Sequence, residues 1–282
     1  MAFLKFLLFL VLIIYTEQND ESNNIHRNLD SDGYSNINIY VDYSCFISSQ
    51  NTTKNELIKN AISKAQKTLE KLIKVEPLKT ELFLEDYKNL IDFGVCSINL
   101  NLRVRADLVI FVVYRMIDNP VDFAVSEIIK NIDNDVKKRP IVGLVDVHFS
   151  PSSLTDDDSK LQAWSTMFLH EFTHILGFNK TIFESLGLLN SARVTNRMNN
   201  NNQTKYFFIG HKAVQMAQNY FNCSQLPGDG IEMDIINGID SLDGSNIHWS
   251  GRILMGDYMI AGLYYIEQSI SEITLASLED LG

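Results

Sequence analysis

Through the lysine-rich segment 54–74, Leu57, Ile58, Ala61, Ile62, Ala65, Leu69, Leu72 and Ile73 recur at helical spacing, which predicts an amphipathic helix that ends ahead of Pro77. Just upstream, in "INIYVDYS", Ile37, Ile39 and Val41 alternate with Asn38, Tyr40 and Asp42 in the period of a half-buried strand, and the folded part is expected to begin there. "ADLVIFVVY" (106–114) and "PIVGLVDVHF" (140–149) are β-branched apolar runs expected as strands, with a helix between them over 123–133. Turn formers and acidic residues in "SPSSLTDDDSK" predict a helix start within 156–159, and Gly177 sets its end. Beyond it, 190–205 has the polarity of a loop, "GHKAVQMAQNYF" suits a short helix, and 227–245 is rich in Gly and Asp. This order of elements implies an α+β fold.

At the N-terminus, "MAFLKFLLFLVLIIYTEQND" carries Lys5 and then an unbroken apolar run over 6–15. A membrane-spanning helix needs about 20 such residues, so the run suits a signal-peptide core, 1–16, followed by a polar leader, 17–35. Small residues are scarce before the cleavage point, which keeps an uncleaved membrane anchor as the alternative. Sequons beginning at Asn51, Asn179, Asn202 and Asn222 acquire meaning only if the chain is secreted. The three cysteines, Cys45, Cys96 and Cys223, exclude a disulfide scaffold. A formal net charge of −11 and a pI near 5.0 argue against nucleic acid as a partner, since a phosphate backbone needs clustered Lys and Arg.

Chemistry enters with "FLHEFTHILGF", 168–178. On a helix His174 lies about 40° around from His170 and one turn further on, so both imidazoles can reach one ion, with Glu171 at the edge of the same face. Leu161, Trp164, Phe168, Phe172 and Ile175 gather roughly 120° to 200° away and form an apolar back for the core. A catalytic zinc takes three protein ligands and leaves a position for water, whose pKa falls to about 7. A third histidine three residues after Gly177 is absent, because Lys180 stands there. Of His26, His148, His211 and His248, only His248 lies near methionines, in "NIHWSGRILMGDYM", and is the expected third ligand; His211 is next in line. Met255 and Met259 are, on chance grounds, core filler. HExxH alone arises by accident in roughly one chain of this length in a hundred, so the apolar back and Gly177 matter to the argument.

Taken in order, "HEFTHILGF", a long insertion, "HWSGRILMGDYM" and "SEITLASLEDLG" resemble the leishmanolysin family of metzincin zinc endopeptidases, as do "ADLVIFVVY", "RPIVGLVDVHFSP" and "GHKAVQMAQNYFNC". The resemblance implies a metzincin-like fold with a catalytic lobe over 36–178, built on a twisted mixed sheet and the HExxH helix, and a less regular lower lobe over 179–282. It implies one zinc ion on His170, His174 and His248, Glu171 as general base, Met259 in the Met-turn, and protein or peptide substrates. The strand over 143–147 looks like the edge strand on which an extended substrate would pair. The chain would be secreted or held at the cell surface, with membrane-surface association open.

Three departures accompany the resemblance. Ser250 stands where an acid follows His-Trp. The expected helix lacks a cysteine near 131–133, which leaves Cys96 without its implied partner, and a Cys-rich region beyond Gly282 is missing, which leaves Cys223 unpaired, either buried or linking two chains. A rival from another class is a non-catalytic surface or adhesion module that zinc merely staples together.

Overall fold

The two longest apolar runs become the centre of a four-stranded sheet. The structure is a computed structural model that describes residues 31–44, 52–90, 102–116, 123–149, 158–195, 202–234, 247–262 and 268–282. Contacts divide the chain after Ser35, and all the elements that build the site belong to the second unit, Asn36–Gly282. Four strands, β1 (Ile39–Asp42), β2 (Leu108–Met116), β3 (Phe123–Asn131) and β4 (Pro140–Phe149), lie in the order β1-β2-β4-β3. β1, β2 and β4 are parallel and β3 runs antiparallel to β4. Leu108 to Val112, with Val142, Leu144, Val145 and Val147, have no measurable exposure, as expected of strands covered on both faces.

α1 (Thr52–Leu72) and α2 (Asp158–Ile175) pack together on one face of this sheet. The periodicity of α1 is realised directly, since Ile58, Ala61, Ile62, Ala65 and Leu69 are all buried at 0–1% exposure. Its polar side also does structural work at the sheet edge. Gln66 donates to the Ile39 carbonyl at 2.9 Å, and Glu70 accepts the Ile39 N–H at 3.1 Å, so the helix meets the outward-facing main-chain groups of Ile39 on β1. Among the described residues, the outer side of β3 pairs with no strand.

Two expectations about this sheet are corrected. The segment 123–133 is not a helix, because its first nine residues form β3. The run shows no polar–apolar alternation, with Ala124, Val125 and Ser126 all buried in succession, and the antiparallel ladder with β4 is what makes it a strand. The segment 143–147 is therefore not the edge, since β4 is flanked by β2 on one side and β3 on the other. The cysteine expected on a helix near 131–133 has no such helix to belong to, since Asn131 ends β3 and a 3-10 turn, Ile132–Asn134, follows.

After α2, a short helix α3 (Lys180–Ser185) leads to a second sheet made of β5 (Leu189–Thr195), β6 (Asn202–Phe208), β7 (Ile231–Asp234) and β8 (His248–Trp249), in the antiparallel order β8-β7-β6-β5. The polar segment 190–205, expected as a loop, thus supplies a hairpin. Asn190, Ser191, Arg193 and Thr204 are exposed, and strands with so much solvated surface give almost no hydropathy signal. α4 (His211–Phe221) and α5 (Glu272–Glu279) pack against each other, and Asp280 accepts the Lys212 and Ala213 N–H groups at the start of α4, both at 3.0 Å.

Contact between β4 and α2 depends on one missing side chain. A Cβ on Gly143 would lie 2.3 Å from Ile175 Cγ2, and Ile175 is fully buried at the end of α2. Gly143→Ala should therefore cost about 1–3 kcal/mol through overpacking. The thermal midpoint should fall by roughly 2–4 °C per kcal/mol, measured by calorimetry, whereas an unchanged midpoint would show that the helix can slide without penalty.

Candidate metal centre

α2 presents its two faces as the spacing predicts. Trp164, Phe168, Phe172 and Ile175 are buried in the core, and Leu161 packs half-buried at its edge. Glu171 is 6% exposed and His174 2%, with His170 more open. The helix stops in a Schellman turn: Gly177 N–H donates to the His174 carbonyl at 3.0 Å and Phe178 N–H reaches back to the Thr173 carbonyl at 3.2 Å. Gly177 takes a φ of 116°, which a side chain would resist. This turn has a chemical consequence, because it brings the Phe178 carbonyl to within 2.7 Å of His174 Nδ1.

His248, on β8, completes a cluster with the two helix histidines. Their Nε2 atoms lie 3.0 Å (His170 to His174), 3.2 Å (His174 to His248) and 3.2 Å (His170 to His248) apart. Ligands about 2.0–2.1 Å from one tetrahedral ion would stand about 3.3–3.4 Å apart, so the cluster fits a metal with little adjustment. His170 Nδ1 donates to the Tyr258 carbonyl at 2.6 Å and His174 Nδ1 to that of Phe178, which places the protons on Nδ1 and leaves the Nε2 lone pairs directed at one another.

The ionisation of these groups points the same way. Burial pushes the His170 imidazole down to about 4, against the Tyr258 carbonyl, which favours the charged form. Burial lowers His174 and His248 well below the usual range, and the neighbouring histidines add to that effect. The Nε2 lone pairs of His170 and His174 converge beside His248 Nε2, and His248 Nδ1 finds no hydrogen-bond partner among the described residues, so the donor set suits a divalent metal of borderline softness.

A second set of contacts fixes the third histidine. Trp249 N–H donates to the Met259 carbonyl at 2.9 Å, which ties the residue after His248 to the turn containing Met259. Met259 is fully buried in the same core as Trp249, Tyr258 and Phe178. Beneath this turn lies the Asp257 carboxylate, which accepts the Met259 N–H at 2.7 Å, the Ser271 N–H at 3.2 Å and the Thr274 hydroxyl at 2.8 Å. Thr274 in turn accepts Trp249 Nε1–H at 2.8 Å. Burial raises the Asp257 carboxyl above its ordinary value, while its donors act to lower it. Thr173 adds a buried link between the helix and the turn, its hydroxyl 2.9 Å from that of Tyr258.

Ser250, the residue that departs from the acidic pattern, is 3% exposed and donates to Glu232 Oε1 at 3.4 Å. Glu232 also pairs with Lys205 at 2.9 Å and with Arg252. Burial raises the Glu232 carboxyl, but these two cations hold it below the usual range on balance. The other histidines stand elsewhere: His148 lies 3.2 Å from Asp146 on β4, His211 is exposed at the start of α4, and His26 falls outside the described residues. Met255 is 78% exposed and so is not core filler, whereas Met259 is buried. Cys223 is exposed with its thiol donating to the Gln225 carbonyl at 3.1 Å, so the buried alternative does not hold; Cys45 and Cys96 lie outside the described residues. Sequence reasoning missed Tyr258, Asp257, Thr173, Thr274 and Glu232; all but Glu232 lie inside the stretches that carry the family resemblance, but nothing in those stretches says what their side chains bond.

Comparison with known proteins agrees with this geometry. The sequence profile of the leishmanolysin peptidases (M8) matches residues 48–282. A zebrafish (Danio rerio) protein, the ciliated left-right organizer metallopeptidase, is 29% identical over 125 residues, which is 42% of this chain and 19% of the relative. The chain thus matches about a fifth of that curated relative's length.

Thr274→Val should remove the hydroxyl shared by Trp249 and Asp257 and leave two buried polar groups short of a partner, at about 1–3 kcal/mol. Equilibrium denaturation would show a lower midpoint with an unchanged slope, and Thr274→Ser should restore most of the loss. Equal stability of the valine variant and the parent would remove the clamp from the account.

Proposed function

Because the chain belongs to the leishmanolysin family, we propose that it is a zinc-dependent endopeptidase. In this reading one zinc ion is held by His170, His174 and His248, and Glu171 is the general base. The observation that carries it is the convergence of three neutral imidazole Nε2 atoms within 3.0–3.2 Å of one another beside a buried glutamate on the same helix.

Bound there, zinc would polarise the scissile carbonyl as a Lewis acid and lower the pKa of water to about 7. Glu171 takes the proton of the attacking water on a carboxylate oxygen and delivers it to the leaving amine, so one group serves as base and then acid. The carbonyls of Tyr258 and Phe178 keep the protons of His170 and His174 on Nδ1 throughout, which holds both rings in their coordinating tautomer. An extended protein or peptide segment would pair along the outer side of β3, where main-chain hydrogen bonds supply affinity without demanding a particular sequence.

The family resemblance and the apolar N-terminus favour a secreted or cell-surface chain. Among the described residues no helix is long and apolar enough to cross a membrane. The net charge of −11 leaves nucleic acid outside the expected partners.

Glu171→Ala should leave metal content unchanged and lower peptide hydrolysis by about 10²–10⁴. Loss of metal in this variant would instead make Glu171 a ligand. His248→Ala should sharply weaken metal retention in competition with a chelator; full stoichiometry and affinity would refute the assignment of His248. Cleavage of a casein-like substrate that a chelator abolishes and zinc restores separates the peptidase from a metal-stapled adhesion module, for which metal-replete protein would show no cleavage.

A further inference from the structure

The structure separates two of the four sequons by what their asparagines are doing. Asn179 is 6% exposed and engaged, because its side-chain oxygen caps α3 by accepting the Thr181 N–H at 2.9 Å. Its neighbour Phe178 holds His174 Nδ1 through a 2.7 Å hydrogen bond, so a group attached at Asn179 would disrupt the turn that orients a candidate ligand. Burial is what excludes attachment there, since a glycan on Asn179 Nδ2 would need a path to solvent that a side chain only 6% exposed does not offer.

Asn222 is the opposite case. It is exposed immediately after α4, in a left-handed conformation (φ 49°, ψ 47°) that asparagine tolerates better than most residues. The turn behind it is well held: Cys223 N–H donates to the Gln218 carbonyl at 2.9 Å, and Gln218 Nε2 donates to the Ser224 carbonyl at 3.0 Å. Beside the sequon, Tyr220 is 72% exposed and Phe221 37%, their rings in edge contact with centroids 4.9 Å apart. Two adjacent exposed aromatics form a small apolar surface that the C–H face of a sugar can cover.

We propose that Asn222 is an N-glycan attachment site of this protein and that the folded chain carries Asn179 unmodified. The inference rests on the reading that the chain passes through the secretory pathway. In the step, Asn222 Nδ2 forms a bond to the anomeric carbon of an oligosaccharide donated by a lipid-linked pyrophosphate. The bond from that carbon to the pyrophosphate oxygen breaks, the lipid pyrophosphate departs, and the amide nitrogen gives up one proton. No oxidant or reductant is required. The attached glycan would stand at the C-terminal end of α4 over Tyr220 and Phe221.

The test uses the full chain preceded by a host signal peptide, made in a eukaryotic secretory host and recovered from the medium. Enzymatic deglycosylation in heavy-oxygen water, followed by peptide mass spectrometry, marks each asparagine that carried a glycan. Asn222 should be labelled and Asn179 unlabelled. Asn222→Gln and Ser224→Ala should each lose the same single glycan-sized mass step, the second variant keeping the asparagine that fits the left-handed turn. Unlabelled Asn222 in the recovered chain, or labelled Asn179 in folded, metal-binding material, overturns the proposal. The chain behind its own N-terminus, run in parallel, addresses the secretory reading separately: its absence from both the medium and the cell surface would sink that reading alone.

Discussion

Three imidazole Nε2 atoms face one point in a mostly buried pocket, only 3.0–3.2 Å apart, and the surrounding structure has to hold them there against their mutual repulsion. The carbonyls of Tyr258 and Phe178 each take an Nδ1 proton, which prevents the rings from flipping to the other tautomer. Burial keeps the imidazoles from escaping the problem by protonation, since it lowers the affinity of all three for a proton.

Rigid placement of the helix pair comes from the sheet. The apolar back of α2 presses on β4 and β3, close enough at Gly143 that no side chain fits beneath Ile175. The Schellman turn at Gly177 then spends no extra residues in reversing the chain, and its geometry supplies both the Phe178 carbonyl and the Asn179 cap. One short stretch thus ends α2, orients a ring and starts the next helix.

Placement of the third histidine is a different kind of problem, because β8 is only two residues long and polar contacts join the packing of Trp249 against Phe178 and Phe208 in holding it. Trp249 is held from its main chain by Met259 and from its indole by Thr274, and both contacts converge on the buried Asp257 carboxylate. On the other side, Ser250 and Arg252 meet Glu232. Buried polar networks of this kind specify one arrangement strongly when every member is satisfied. The acid that the family pattern led one to expect at Ser250 has a counterpart in space, supplied by a different strand.

Local spacing was enough to define what lies on one element: the amphipathic α1, the apolar strands β2 and β4, and the two helix histidines with their apolar back were all legible, because each depends on the period of a single helix or strand. His248 was legible as a candidate through its neighbouring methionines and the family resemblance, but its approach to the helix was not, since a separation of 74 positions from His174 leaves their meeting to the fold. The same limit explains the errors. The run 123–131 carries no decisive strand period, and only its ladder with β4 makes it a strand; β4 then ceases to be the edge for the same reason. The polar hairpin of β5 and β6 carries little hydrophobic pattern because so much of it faces water. Asp257, Thr274, Tyr258 and Glu232 act through hydrogen bonds to groups distant in sequence, and a hydrogen bond leaves no periodic trace in the chain that makes it; the tertiary structure alone decided them.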